Sequence, residues 1–252
     1  FVIEIDLTRG RKAIANEVRY DWGGTSKHVA NWNPASSVKL FAAVGALKRL
    51  RGLGFSHRAR VTFHGRKDRQ FTVGELVRLA IGESDNIAYN RLVQLAGFDF
   101  LHKKVFSAAT GFPDVGLLKA YESSAWIAQG EDPSLRVSPP ISLREGRKKK
   151  RLPATVGVVE SDCRSAACAS LRDLGECVRR VMLQEQLPAG ASFGLATSDL
   201  RVLRLAMQVH PRGNEVVTQL RKAFGRKRIK LYSKPGFSQG WYSDAVYIQE
   251  LG

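Results

Sequence analysis

The sequence predicts an α+β fold, with strands at both ends of the chain and helices between them. Three observations carry that expectation. Residues 1–7 alternate, with Phe1, Ile3, Ile5 and Leu7 on one face and Val2, Glu4 and Asp6 on the other, the period-two signature of a strand. Near the other end, residues 228–233 alternate around Ile229 and Leu231, residues 234–240 read as a turn, and residues 241–248 as a further strand. Between the two lie runs with helical spacing, the clearest being Leu40, Ala43, Val44, Leu47 and Leu50.

In order, Thr8-Arg9-Gly10 is a turn signal and residues 13–20 the second arm of a hairpin. A loop over residues 21–33 leads to the helix that opens near Ser36 and ends at Gly52 and Gly54, glycine being a common helix stop. Thr72-Val73-Gly74-Glu75 is a capping box; its helix stops near Gly82. A helix over residues 87–96 carries the stripe Ala88, Leu92 and Leu95 and stops at Gly97, and residues 100–109 form another. From 121 to 162 the periodicity fails. Four prolines, Pro133, Pro139, Pro140 and Pro153, interrupt it, with short strands at 135–137 and 155–159. Helical spacing returns at 166–183, after a Ser198-Asp199 cap, and after Asn214.

Composition narrows the possibilities. The 252 residues are enough for one two-lobed domain, and no disulfide is needed for a core at that size. No apolar run has the length of a membrane span. The chain begins at Phe1 rather than Met, so removal of a leader is expected, and with it a periplasmic or secreted location. A formal charge of +17 admits a nucleic acid, an anionic membrane or cell-wall surface, or a basic solvated exterior. The dense run Arg147-Lys148-Lys149-Lys150-Arg151 has no interleaved aromatic, and no nucleic-acid-binding motif is present. It reads as a solvated basic loop, and no specific nucleic-acid partner is expected. Cys163, Cys168 and Cys177 have no metal-ligand spacing; Cys163 and Cys168 are either bridged across a turn or reduced. Neither a metal nor an organic cofactor is implied.

The chemistry starts at Ser36-Ser37-Val38-Lys39. Residues three apart on a helix share a face, so Ser36 and Lys39 point together, near free amides of the helix N-terminus. A serine needs a neighbouring base to become a nucleophile. A lysine in a partly closed site near other cations can supply one, and the free amides can stabilise an oxyanion. Two further stations follow: Ser84-Asp85-Asn86 and Lys234-Pro235-Gly236.

The ordered set Ser-x-x-Lys, Ser-Asp-Asn and Lys-x-Gly resembles that of class A β-lactamases and penicillin-binding proteins, over nearly the whole chain. The resemblance implies a single domain over 1–252. An antiparallel sheet from both chain ends (about 1–35 and 226–252) would flank an inserted all-helical lobe (about 36–225), with the active site in the groove between. An irregular basic insertion would occupy about 123–162. It implies a serine hydrolase, most nearly a class A β-lactamase, working through an acyl-enzyme on a small-molecule or peptidoglycan-like substrate, as a monomer. Ser36 would be the nucleophile, Lys39 its base and Ser84 a proton relay to the leaving nitrogen. Asn86 would bond substrate and Lys39. Lys234 would be a fixed cation, and the amides of Ser36 and Phe237, beside Gly236, the oxyanion hole.

The family's deacylating glutamate falls at Glu122, but within Glu122-Ser123-Ser124-Ala125-Trp126 rather than Glu-x-x-Leu-Asn; Glu145 and Glu160 are weaker candidates. Pro235 replaces a hydroxyl residue that helps hold a substrate carboxylate, and the last strand carries Asp244 and no arginine. Both chain ends are short beside the family, from trimming or as a reduced variant. A peptidase or esterase of the same fold, a protein that acylates and stalls, and a non-catalytic binder of an anionic polymer are the alternatives.

Overall fold

The structure, a computed structural model, describes residues 1–24, 32–158, 161–208, 215–225, 228–238 and 241–251. The alternating start forms its hairpin: β1 (Val2–Leu7) pairs antiparallel with β2 (Ile14–Tyr20). A 3-10 turn, Ala35–Val38, then runs into α1 (Lys39–Gly52). Every residue from Lys39 to Leu47 is buried, so α1 is a central helix rather than the one-sided helix its leucine stripe predicts. Small residues allow this. A Cβ on Gly45 would lie 2.0 Å from Leu101 Cδ2.

The middle of the chain is not all-helical. It contains β3 (Arg60–Phe63) and β4 (Arg69–Thr72) before α2 (Val73–Gly82), whose Thr72–Glu75 capping box makes both of its bonds. Then come α3 (Asn86–Ala96), capped by Asp85, and a short α4 (Phe98–Phe100) that continues as a π turn. Beyond β5 (Gly116–Leu117) and α5 (Ser123–Ala128) lie β6 (Val137–Ser138), β7 (Ile141–Glu145), β8 (Lys148–Leu152) and β9 (Thr155–Val156). The β7–β8 hairpin completes a four-stranded antiparallel sheet in the order β4-β3-β7-β8. This corrects two expectations, the all-helical lobe and the basic loop: the run Lys148–Leu152 is an edge strand. Its five residues, Lys-Lys-Lys-Arg-Leu, have no apolar alternation to read, and pairing to β7 holds them. Val61, Phe63, Ile141 and Leu143 are buried beneath the sheet.

After β10 (Ala167–Cys168), which pairs with β5, come α6 (Leu171–Met182), α7 (Thr197–Met207) and α8 (Glu215–Phe224). Cys163 is disulfide-bonded to Cys168, and Cys177 is free and buried. Asp199 does not cap α7. Its carboxylate accepts from the His57 backbone N–H (3.0 Å) and lies 2.7 Å from His57 Nδ1. The expected cap Asn214 lies outside the described residues. A long hairpin, β11 (Ile229–Ser238) with β12 (Trp241–Glu250), closes the fold.

Among the described residues the two terminal hairpins form separate two-stranded sheets rather than one continuous sheet. A shared helix joins them instead. A Cβ on Gly175 of α6 would touch the Phe1 ring at 2.9 Å, and β12 packs against the same helix. Ion pairs Arg19–Glu176 (3.2 Å) and Arg179–Glu17 (2.7 Å) tie β2 to α6. Burial against one helix and this charge network take the place of ladder hydrogen bonds.

Candidate active site

Ser36 sits where three features fix the chain. Pro34 precedes it, Ala35 adopts a left-handed φ of 49°, and α1 begins three residues on. The Asn33 Oδ1 accepts the Ala35 N–H at 2.8 Å, and the Tyr121 hydroxyl donates to the Ala35 carbonyl at 3.1 Å. The Pro34 carbonyl accepts from Ser37 Oγ (2.5 Å) and Ser243 Oγ (2.8 Å). Gly236 of β11 packs on this knot so closely that a Cβ would lie 2.3 Å from the Pro34 oxygen. Glycine is required there by approach, and the third motif is thereby pressed against the first.

Lys39 is fully buried. Its Nζ donates to the Ser84 carbonyl, to Ser84 Oγ (3.3 Å) and to Asn86 Oδ1 (2.5 Å). Burial first, and then the charge of Lys234, push its pKa down to about 7, against the pull of Asp85 and Glu122. Lys234, also fully buried, donates to Ser84 Oγ at 3.0 Å and to the Pro235 carbonyl at 3.0 Å. Burial lowers its pKa to about 8, with Asp244 opposing. The Ser84 hydroxyl therefore lies between two lysine nitrogens. Ser36 Oγ makes no hydrogen bond to another described residue.

Asn86 is the hinge of the cluster. Its Oδ1 takes Lys39, and its Nδ2 donates to Glu122 Oε1 at 2.9 Å. Glu122 is exposed but tied, and the segment carrying it is anchored from below. Trp126 is fully buried, its Nε1 donates to the Asp132 carbonyl at 2.8 Å, and the Arg91 guanidinium stands 4.4 Å from its ring. Arg91 pairs with Glu131 at 2.7 Å. The tryptophan standing where the resemblance places a loop-tying asparagine thus ties the segment by burial and cation–π contact. Asn90 clamps the backbone beside Glu122, bonding both the N–H (3.0 Å) and the carbonyl (2.9 Å) of Tyr121.

The structure therefore brings Ser84, Lys39, Asn86, Lys234 and Glu122 into one bonded cluster, with Ser36 one helical turn before Lys39 and Gly236 abutting the Ser36 turn. Phe237 is 79% exposed and lies opposite Tyr242 in the β11–β12 ladder. Glu145 is elsewhere, accepting from Ser56 N–H (2.8 Å) and Oγ (2.5 Å); Glu160 lies outside the described residues. Pro235 faces Asp244 in the ladder, and Asp244 accepts from Ser233 Oγ at 2.7 Å. Sequence reading missed Asn33, Asn90, Tyr121 and Ser243. Asn90 had a usable signal, since it follows Asn86 by one turn of α3. The others act through contacts that only the fold creates.

Backbone strain is concentrated here. Of the four described non-glycine residues with left-handed φ, three are Ala35, Ser84 and Glu122, each costing on the order of 1–3 kcal/mol. Among the described residues no group of His, Cys, Asp or Glu could hold a metal ion. A groove of about 490 Å³ between the end of α3, α4 and β8–β9 contains none of the cluster. No protein-family model matches the chain, and no curated protein matches it. Among solved structures, a class A β-lactamase from Bacteroides cellulosilyticus DSM 14838 aligns over 86% of this chain and 74% of that one, with a TM-score of 0.49 and 14% identity.

Proposed function

We propose that this chain is a serine hydrolase that forms an acyl-enzyme at Ser36. The observation that carries the reading is the Ser84 hydroxyl held between the nitrogens of Lys39 and Lys234, with Asn86 linking Lys39 to Glu122. A lysine with a pKa near 7 is neutral in part at physiological pH and can act as a base. Rotation of the Ser36 side chain brings its hydroxyl to Lys39. Lys39 takes the proton as Oγ attacks the substrate carbonyl, and the amides of Ser36 and Phe237 stabilise the oxyanion. Ser84 Oγ accepts from Lys234 and Lys39, so its own proton is free to point into the groove. It donates that proton to the leaving nitrogen and regains one from Lys39. Glu122 then deprotonates the water that releases the acyl group.

A β-lactam or related amide is the substrate class this arrangement fits. One observation favours a second reading. Pro235 and Asp244 put a ring and a carboxylate where the resemblance leads one to expect groups that hold a substrate carboxylate. An acyl substrate lacking that carboxylate, and hence a peptidase or esterase, suits these residues better.

Intact mass after incubation with a penicillin and with an activated ester tests the proposal. An adduct that appears and turns over is expected with at least one of them, and Ser36→Ala should abolish it. An adduct that survives Ser36→Ala would overturn the assignment. Glu122→Gln should let the adduct accumulate; unchanged release would remove Glu122 from the mechanism.

A further inference from the structure

The four-stranded sheet carries a feature unrelated to the Ser36 cluster. Register places Arg60 opposite Arg144 and Arg144 opposite Lys149, so three cations from three neighbouring strands form one cross-strand row. The adjacent row pairs Thr62 with Ser142 and Ser142 with Arg151. These side chains line a groove of about 360 Å³ on the outer face of the sheet. None of the side chains of Arg60, Arg144, Lys149 and Arg151 makes an ion pair or hydrogen bond with another described residue. One carboxylate comes near this face. Asp68 lies 2.9 Å from His64 Nδ1, and His64 Nε2 lies 2.8 Å from Ser142 Oγ. Glu145, on β7, projects to the opposite face and is held by Ser56.

Like charges directly opposite on paired strands destabilise a sheet, and neighbouring strands are only about 5 Å apart. Here that arrangement is repeated across two pairings, with no ion pair among the described residues to offset it. An anion laid across the strands would reverse the sign of the effect. The groove also selects among anions. No aromatic lines it, so bases have nothing to stack on. It is concave, and the one apolar residue in its lining, Leu143, is buried, so the groove exposes no apolar side chain to a bilayer. Its cations stand about 5 Å apart, which needs one charge per short repeat; a glycan with one carboxylate per disaccharide is too sparse. The Thr62 hydroxyl accepts from Gln70 Nε2 at 3.1 Å and keeps its own proton, so it adds a donor for phosphate oxygens, and arginine matches phosphate in a bidentate manner.

We propose that this sheet face binds a linear, base-free phosphate polymer lying across β3, β7 and β8. Titration of the full chain with linear inorganic polyphosphate tests it. Four contacts predict a slope of log affinity against log salt of about −3, using the single-strand value per phosphate. The triple variant Arg144→Ser, Lys149→Ser, Arg151→Ser should bind at least about tenfold more weakly, with a slope shallower by about 2. Its Tm should no longer rise with polyphosphate. A charge-matched control, Arg51→Ser, Arg164→Ser, Arg201→Ser, removes three exposed cations that do not line the groove and should bind like wild type. Equal loss in the control would reduce the effect to net charge and overturn the site. So would equal affinity for single-stranded DNA, hyaluronan or anionic vesicles, each of which contradicts a stated part of the assignment. Binding is read without reference to catalysis, so Ser36→Ala should behave like wild type here even if the hydrolase reading fails.

Discussion

The cations of the Ser36 cluster and those of the β3–β7–β8 face have the same formal charge and opposite physical situations. Lys39 and Lys234 are fully buried, bonded to named acceptors, and shifted toward neutrality. Arg60, Arg144, Lys149 and Arg151 stand on a sheet face with no partner among the described residues. Arg91 lies between these extremes, buried like the first pair but neutralised by Glu131 and sandwiched near Trp126 and Phe63. A formal charge of +17 therefore says little by itself. Burial moves a lysine toward neutrality, pairing makes an arginine into a strut, and only the remaining positive charge is available to a polyanion.

Substitutions should separate the three roles by size and kind of effect. The largest is expected at Lys39. Lys39→Met should slow acylation by about 10²–10⁴-fold, the range of a lost general base, measured as the rate of adduct formation. In wild type that rate should rise through pH about 7 as Lys39 loses its proton and fall above about 8 as Lys234 loses its charge. A flat profile between pH 6 and 9 would break the link between burial and base. Next comes Arg91→Met, which leaves Glu131 without its buried partner and should cost about 3–5 kcal/mol in urea unfolding, while adduct formation in the folded fraction persists.

A third outcome concerns stability and pH. Both lysines have folded pKa values below the ordinary 10.5, so the unfolded chain binds more protons between about pH 7 and 10. Wild-type stability should therefore gain from these groups as pH rises through that window, and be lowest on their account below it. In Lys39→Met part of this gain should vanish, seen as a shallower dependence of unfolding midpoint on pH. The smallest effect is expected at the sheet face: Arg144→Ser should change stability by no more than about 0.5 kcal/mol, with any gain greatest at low salt.

Much of the candidate cluster could be read from the sequence, because Ser36, Lys39, Ser84, Asn86 and Lys234 lie in short motifs whose spacing has a direct chemical meaning. The capping box at Thr72 and the N-terminal hairpin could be read for the same reason: each is local. The C-terminal hairpin was legible only in part, because Lys234-Pro235-Gly236-Phe237-Ser238 has the composition of a turn and yet continues β11 through Ser238 in register with β12. What escaped was non-local. The strand Lys148–Leu152 has no apolar period, and its identity comes from β7. The core position of α1 depends on helices that arrive later in the chain. The Trp126 anchor looked like the loss of a tie because its partners, Arg91 and the Asp132 carbonyl, are not adjacent in any pattern. The separation of the terminal hairpins into two sheets depends on α6, which the strand patterns do not register.

One contact has a consequence for how the protein comes into being. The hydrogen bond from Ser243 to the Pro34 carbonyl spans 209 positions, and Gly236 closes on the same oxygen. Loops of that length close late in folding, after local structure has formed. A ribosome-bound chain would carry Ser36 and Lys39 without Lys234 and Phe237 until β11 has been made. On the proposed reading, reactivity at Ser36 would switch on only as the β11–β12 hairpin docks, and a labelled acyl probe applied during translation would report when that hairpin has reached the Ser36 turn.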